Sequence, residues 1–228
     1  PTPEGREYRS LFVPAGDDEA ESDRQFFASL DLISFDDKIA QNAKLRLDGI
    51  DVEPVDLSRV KVVRTLLRDD LTQGDENWTF GSAPGYFTPA RFGAESGAIN
   101  LAPSGNGSFG FWTCETDVTA EAGKIYRARF LVRTNTDQAE QISPFRLRLN
   151  TSSFELAATT QIEPASTLLE TASTDAKVYD VYMFIPGDAS GEDTLMASID
   201  LIGFSSELNE DTTITLEQFL LEEVKIEE

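Results

Sequence analysis

Two stretches of this chain repeat each other, and this repeat constrains the fold more than any other feature of the sequence. Residues 28–35, ASLDLISF, match residues 197–204, ASIDLIGF, and the register continues without a gap through 36–53 and 205–222. Upstream, LFVP at 11–14 aligns with MFIP at 183–186. Two similar blocks in the same order indicate two related domains. We therefore predict the C-terminal part of a first domain at residues 1–57 and a complete second copy at residues 58–228.

The repeated segments alternate apolar and polar side chains, which is the pattern of strands with one face on a core. In the first copy the pattern predicts strands at 6–13, 25–35 and 44–53, followed by a link at 54–57. In the second copy it predicts strands at 60–67, 78–81, 98–101, 109–114, 125–133, 145–150, 154–162, 178–185, 195–204 and 212–226. Single helical turns are predicted at 117–123 and 209–212. The expected fold is all-β, an antiparallel two-sheet sandwich.

The charge and residue content exclude several function classes. The chain carries 41 acidic and 19 basic side chains, for a net charge of −22, and it has no histidine. Nucleic acid is not an expected partner, because phosphate binding needs lysine and arginine to displace counterions. Without histidine there is no Ser-His-Asp triad and no zinc site of the usual type. No nucleophile, base or metal cluster stands out, so we do not expect an enzyme.

The lengths of the apolar runs and the first residues of the sequence indicate whether the protein is inserted in a membrane or exported. The longest uncharged apolar runs are far shorter than the roughly 20 residues needed to cross a bilayer, so membrane insertion is not expected. The single cysteine, Cys114, cannot form an intrachain disulfide. The chain opens with Pro-Thr-Pro and no methionine, which suggests a piece of a longer precursor with any export signal upstream.

Several segments of the second copy carry a family resemblance. An acidic stretch at 69–71 and a glycine-containing loop precede ENWTF at 76–80. FW at 111–112, AGKIYRARF at 122–130, FRLRLN at 145–150 and ITLEQFLLE at 214–222 follow. Together these segments resemble the jelly-roll carbohydrate-binding modules over nearly all of residues 58–228. The resemblance implies a jelly-roll sandwich that is non-catalytic and secreted or at the cell surface, often one of several modules in a long chain.

Sugar binding on a sheet needs exposed aromatic rings, whose faces pack on pyranose C–H groups. Alternation within residues 109–113 sends Phe109 and Phe111 to one side of a strand and Trp112 to the other. With the two phenylalanines assigned to the core, Trp112 becomes the best sugar candidate; alternatively, it seals the second sheet or an interdomain contact. The aromatic candidates are Trp112, Trp78, Tyr86 and Phe87.

Five arginines form a stripe in the sequence pattern. They occupy alternate positions of two predicted strands, and we expect them to share one sheet face: Arg127, Arg129, Arg133, Arg146 and Arg148. If Asp180, Asp200 and Glu217 lie on neighbouring strands, the stripe is a cross-strand charge ladder. The alternative is a docking face for an acidic glycan or a carboxylate-rich subunit, since arginine binds carboxylate bidentately.

A structural calcium ion is implied by the resemblance, because related modules often hold one between the loop of the first strand and the last strand. The candidate ligands are Asp69, Asp70, Asp75, Glu76 and Glu217. No calcium-binding loop spacing supports them, and the alternative is a solvated acidic loop.

Two functions remain open at this stage. The first is a structural or adhesive extracellular module that assembles with neighbouring copies or subunits by sheet or strand pairing. The second is a module that recognises a polysaccharide. The first is favoured by the tandem copies and by the three apolar-faced strands of the first copy, which cannot close a sandwich alone.

Overall fold

The computed structural model describes residues 56–82, 87–105, 107–137, 145–151, 165–168, 173–185, 187, 193–202 and 211–227, with only the backbone described at 165–168 and at 202. The predictions for the first copy at 1–55, the strand at 154–162 and Tyr86 lie outside these residues. No helix among the described residues is long and apolar enough to cross a bilayer.

Twelve strands and one 3₁₀ turn lie within the described residues. The turn is Leu57–Arg59. The strands, in chain order, are β1 (Val60–Asp69), β2 (Thr79–Gly81), β3 (Thr88–Pro89), β4 (Arg91–Glu95), β5 (Ala98–Ala102), β6 (Ser108–Thr119), β7 (Ile125–Thr134), β8 (Phe145–Thr151), β9 (Ala165–Leu168), β10 (Lys177–Phe184), β11 (Thr194–Ile202) and β12 (Ile214–Ile226).

The strands form two sheets of six. Sheet A has the order β10-β7-β12-β5-β4, with β1 also paired to β12. Sheet B has the order β2-β6-β11-β8-β9, with β3 also paired to β6. The β3–β6 pair is parallel, and the other described pairs are antiparallel. From β5 to β8 the chain changes sheet at every connection, as in a jelly roll. The predicted antiparallel two-sheet sandwich is confirmed.

The core lies between the two sheets and is filled by alternate residues of their strands. On β7 the inward residues Tyr126, Ala128 and Phe130 are fully buried, and on β8 Phe145 and Leu147 are as well. Because side chains alternate along a strand, the residues between them point to the outer faces. The predicted inward faces of β7 and β8 are confirmed, and their arginines therefore lie outside the core.

Several local predictions differ from the structure. Three short strands, β3, β4 and β9, are absent from the sequence prediction. The predicted helical turn at 117–123 is wrong, because β6 continues to Thr119 and a turn containing Gly123, with φ of 78°, follows it. Between β5 and β6, Gly105 and Gly107 have φ of 140° and 71°, a region in which glycine is favoured.

The second-copy segments of the sequence repeat fall on three separate strands. Residues 183–184 end β10, residues 197–202 lie in β11, and residues 214–222 lie in β12. Strands β10 and β12 flank β7 in sheet A, whereas β11 lies between β6 and β8 in sheet B. None of the three pairs with another, so within the second copy these segments depend on strands from earlier in the chain.

Candidate functional site

Trp78 is part of the core. Its side chain is 3% exposed, and its ring meets Phe219 edge-on with the ring centroids 5.5 Å apart. Its Nε1 donates a hydrogen bond to Oδ2 of Asp69 at 3.1 Å. Trp78 therefore cannot present a ring face to a sugar. Its prediction as a sugar-binding residue is wrong, because the side chain is buried.

Trp112 is also buried, at 2% exposure, and it connects the two sheets. Its Nε1 donates to the carbonyl oxygen of Asn100, on β5 of sheet A, at 2.8 Å. On β6 it shares the inward face with Cys114, whereas Phe109 and Phe111 lie on the outer face. The predicted assignment of these faces is inverted. The indole fills the space between the sheets, where its N–H also finds a partner.

The outer face of sheet B carries three phenylalanine rings in contact. The rings of Phe109 and Phe111 meet edge-on at 5.7 Å, and the ring of Phe87 lies 5.2 Å from that of Phe109. All three side chains are half-buried. Opposite Phe111 lies Gly81, whose missing side chain leaves the space that the Phe111 ring occupies. Of the predicted aromatic candidates that the structure describes, Phe87 is the one that reaches this surface.

A polar row crosses sheet B beside Phe111. Phe111 is paired with Asp200 on β11, and Asp200 is paired with Arg146 on β8. Oδ1 of Asp200 accepts a hydrogen bond from Nη2 of Arg148 at 3.0 Å, and its Oδ2 pairs with Nε of Arg148 and, at 3.4 Å, with Nε of Arg146. Nε of Arg148 also lies 3.2 Å from Oγ of Ser198.

In this row the carboxylate lies beneath the guanidinium groups. The side chain of Asp200 is 1% exposed, whereas those of Arg146 and Arg148 are 31% and 24% exposed. Solvent therefore meets the two arginines on β8 and the half-buried rings on β6, on the other side of β11. We call this set the aromatic–arginine surface: Phe109, Phe111, Arg146, Arg148 and Asp200.

The other three arginines form a charge ladder on the outer face of sheet A. Arg127 donates to Oε2 of Glu222 from Nε and Nη2, at 2.8 and 2.6 Å. Arg129 binds both carboxylate oxygens of Asp180 at 2.8 and 2.9 Å. The third pair joins Nε of Arg133 to Oε1 of Glu217 at 2.6 Å. The predicted cross-strand ladder is confirmed here.

The expectation that all five arginines share one face is wrong. Arg127, Arg129 and Arg133 lie on β7 of sheet A, whereas Arg146 and Arg148 lie on β8 of sheet B. Alternation along a strand shows which side chains leave the core, but it does not show to which sheet the strand belongs.

The five carboxylates proposed for calcium are held in other interactions or lie apart. Asp69 accepts from the backbone N–H of Leu71 at 2.8 Å and, through Oδ2, from Asn77 and Trp78. Glu217 pairs with Arg133 on the outer face of sheet A. Asp75 and Glu76 are exposed in the turn before β2, and among the described residues no three Asp, Glu, Cys or His side chains form a metal-binding group.

Asp70, the remaining candidate, is exposed and accepts hydrogen bonds from Nε of Arg68 at 3.0 Å and from Nε2 of Gln218 at 2.5 Å. These bonds hold its pKa below the ordinary value, the bond from Arg68 being the larger cause. Calcium needs six to eight oxygen ligands that converge. As placed, the five residues do not fit the ion.

A buried carboxylate at one end of the sandwich was not identified from the sequence. Glu223 on β12 is 4% exposed and accepts from Nε of Arg64 and from Nζ of Lys124, each at 2.7 Å. Arg64 also reaches Oε1 of Glu121 at 3.1 Å. The hydrogen bond from Lys124, followed by the one from Arg64, lowers the pKa of Glu223. This group joins β1, β12 and the β6–β7 turn, which indicates a structural role.

Comparisons with known proteins show a likeness in fold only. No family model and no curated protein matches the chain. An arabinose-bound α-L-arabinofuranosidase matches with 14% identity and a TM-score of 0.49, over 71% of this chain and 27% of its own. An apo cyclase from Fischerella sp. matches with 10% identity and a TM-score of 0.49, over 75% of this chain and 99% of its own.

A third solved structure is the CBM22-1 xylan-binding domain from Paenibacillus barcinonensis. It matches with 14% identity and a TM-score of 0.46, over 72% of this chain and 97% of its own. This chain thus spans about a quarter of the arabinofuranosidase and nearly all of the other two structures. At these scores and identities the likeness assigns no function.

Proposed function

We propose that this chain is a non-catalytic module that binds a polysaccharide through the aromatic–arginine surface. One observation carries the proposal: half-buried phenylalanine rings on β6 and partly exposed guanidinium groups on β8 lie on the outer face of one sheet, with only β11 between them. Aromatic faces pack on pyranose C–H groups, and charged donors fix the hydroxyl or acid groups of a sugar. An extracellular location, secreted or at the cell surface, belongs to the same proposal.

The position of the site differs from the one that the sequence favoured. Neither tryptophan is accessible, and the three arginines on β7 of sheet A are each matched by a carboxylate. The outer face of sheet B is therefore the better candidate for the site, since its rings and its arginines lie on the two sides of β11 and both meet solvent.

The test compares two phenylalanine truncations in gels that contain soluble polysaccharides. Phe111→Ala removes a ring of the proposed site. Phe92→Ala is the matched control, because Phe92 lies on β4 of sheet A, is 56% exposed, and stacks on Phe80 at a ring-centroid distance of 3.8 Å. We expect at least one polysaccharide to retard the wild-type protein and the Phe92 variant but not the Phe111 variant.

Thermal unfolding of both variants shows whether each remains folded at the temperature of the gel. If the polysaccharide retarded the Phe111 variant but not the Phe92 variant, the binding site would lie at the edge of sheet A instead. A wild-type protein that no polysaccharide retards would contradict the proposed function.

The assembly function that the sequence favoured is the second candidate. Among the described residues, β10 pairs only with β7, and Val178 on β10 is 55% exposed. An exposed edge strand can accept a strand from another chain. Strand β1 also lies at an edge and exposes Val62 and Val63, but register shifts follow Val62 and Thr65, and such irregularities oppose strand addition.

Sedimentation velocity over a range of protein concentrations tests this second candidate. Assembly through β10 predicts a species larger than the monomer that Val178→Lys disperses. A monomer at every concentration would remove the support for this candidate, and polysaccharide binding by that monomer would leave the first proposal in place.

A further inference from the structure

We infer that the ligand of the aromatic–arginine surface is an anionic glycan that carries uronate carboxylates; this inference rests on the proposed function. The inference comes from the balance of charge on the two sheets. On sheet A three arginines face three carboxylates: Arg127 with Glu222, Arg129 with Asp180, and Arg133 with Glu217. On sheet B two arginines, Arg146 and Arg148, share the single carboxylate of Asp200. Among the described residues of the aromatic–arginine surface, one positive charge is therefore unmatched, and Glu115 and Asp117 lie farther along β6 on the same face.

The two arginines of sheet B are not equivalent. Arg148 binds Asp200 through both Nε and Nη2 and lies beside Ser198, so its guanidinium is held in place. Arg146 touches Asp200 only through Nε at 3.4 Å, and within the described part of the chain neither of its Nη groups donates a hydrogen bond. A guanidinium carries five N–H donors in a planar fork that matches a carboxylate. Most of the N–H donors of Arg146 are thus available to a ligand.

The buried position of Asp200 also favours an anionic ligand. Asp200 is 1% exposed and lies below the guanidinium groups, so an approaching ligand meets positive charge first. The next described carboxylate along β6 on this face is Glu115, four residues from Phe111, or about 13 Å along the strand. In a chain with a net charge of −22, a local positive surface gives an anionic ligand one preferred place to bind.

The spacing suits a sugar acid. Phe111 and Arg146 lie on β6 and β8, one on each side of β11, so their Cα atoms are about 10 Å apart. Both side chains project from the same face. A pyranose that packs on the Phe111 ring can therefore direct its carboxylate, or that of a neighbouring residue in the polymer, toward Arg146. A bidentate carboxylate–guanidinium contact would fix its orientation.

The experiment measures the binding of polygalacturonate, of neutral dextran and of dextran sulfate to the wild-type protein and to three variants. Arg146→Gln removes the charge and the fork, and Arg146→Lys keeps the charge without the fork. Arg133→Gln is the control on sheet A, where the side chain is 41% exposed and paired with Glu217. Unfolding curves establish that each variant is folded.

We expect polygalacturonate to bind more tightly than either dextran and to lose affinity as salt is added. Arg146→Gln should weaken polygalacturonate binding about tenfold or more, the effect of losing a charge-assisted hydrogen bond. Arg146→Lys should restore only part of the affinity, and Arg133→Gln should leave it unchanged.

The failures of the two proposals are distinguishable. If neutral dextran binds as tightly as polygalacturonate and Arg146→Gln changes neither, the anionic-glycan inference is overturned while the proposed function stands. Preference for dextran sulfate over polygalacturonate would overturn the uronate assignment. Absence of binding to any glycan would overturn the proposed function itself.

Discussion

The indole nitrogen of Trp78 donates a hydrogen bond to the carboxylate of Asp69 at 3.1 Å. This contact holds the end of β1 against the residue that precedes β2. Asp69 ends β1 and is 9% exposed, and its other oxygen accepts from the backbone N–H of Leu71. Leu71 has a φ of 53°, a left-handed conformation that is uncommon for a leucine. One carboxylate thus holds both the turn after β1 and the tryptophan that enters the core.

Replacement of Asp69 by alanine should therefore cost much of the stability of the domain. The change leaves the buried indole N–H and the backbone N–H of Leu71 without partners, at about 1–3 kcal/mol for each group. Urea unfolding measures the loss. Asp75→Ala is the control, because Asp75 is exposed in the same loop and should cost about 0.5 kcal/mol or less. Equal losses in the two variants would contradict the assigned role of Asp69.

The same contacts predict the response to calcium. Because Asp69 and Glu217 are held by protein donors, we expect neither calcium nor a chelator to change the midpoint of thermal unfolding through these residues. Differential scanning calorimetry with each addition checks this expectation. A rise in the midpoint with calcium that disappears in Asp69→Ala would show that the loop rearranges to bind the ion.

Cys114 should be unreactive in the folded protein. Its side chain is 1% exposed, and burial, with smaller contributions from Asp69 and Glu115, raises the pKa of the thiol from 9.0 to about 12. At pH 8 the thiol is therefore almost entirely protonated, and the thiolate is the reactive form. A disulfide reagent that reports thiol release should detect no thiol in native buffer and one thiol in denaturant. Rapid labelling of the native protein would contradict the buried position.

Glu223 should make stability depend on pH in a defined direction. Hydrogen bonds from Lys124 and then Arg64 lower its pKa below the ordinary value of 4.5. A lowered pKa in the folded state means that the contribution is complete above the pKa of the unfolded chain and is lost as the pH falls through the folded value. At pH 7, Glu223→Gln should therefore lower the free energy of unfolding by about 1–3 kcal/mol.

The difference between the wild type and Glu223→Gln should then shrink in acid. Urea unfolding at pH 7 and at several values below 4.5 measures it. As a control, Lys225→Gln removes a cation whose contact with Glu227 is exposed on both sides, so this variant should differ little from the wild type at pH 7. If the free energy of unfolding of Glu223→Gln stayed below that of the wild type by the same amount at every pH, the carboxylate charge would not be the cause of the difference.

The alternation of apolar and polar residues predicted most of the strands. Along β6 the same alternation also indicates which aromatic side chains face the core. Phe109 and Phe111 share their face of β6 with Glu115 and Asp117, whereas Trp112 shares its face with Cys114. Charged residues mark an outer face, and cysteine is among the most buried residue types. Reading the whole strand would have placed the phenylalanines outside and the tryptophan inside.

Two features could not be obtained from the sequence in this way. The five arginines divide between two sheets because of which strands pair, and alternation along β7 or β8 carries no information on pairing. The cluster around Glu223 depends on residues from three distant segments, 64, 121–124 and 223. Nothing in any one segment indicates that the others lie beside it.

A titration followed by backbone amide NMR shows which face of the sandwich binds the glycan. An oligogalacturonide is added to the protein, and the amide signals that move are mapped on the two sheets. We predict shifts on β6, β11 and β8, centred on Phe111, Asp200 and Arg146, with β4 and β10 of sheet A unaffected. Shifts confined to sheet A, or no shifts at saturating ligand, would contradict this prediction.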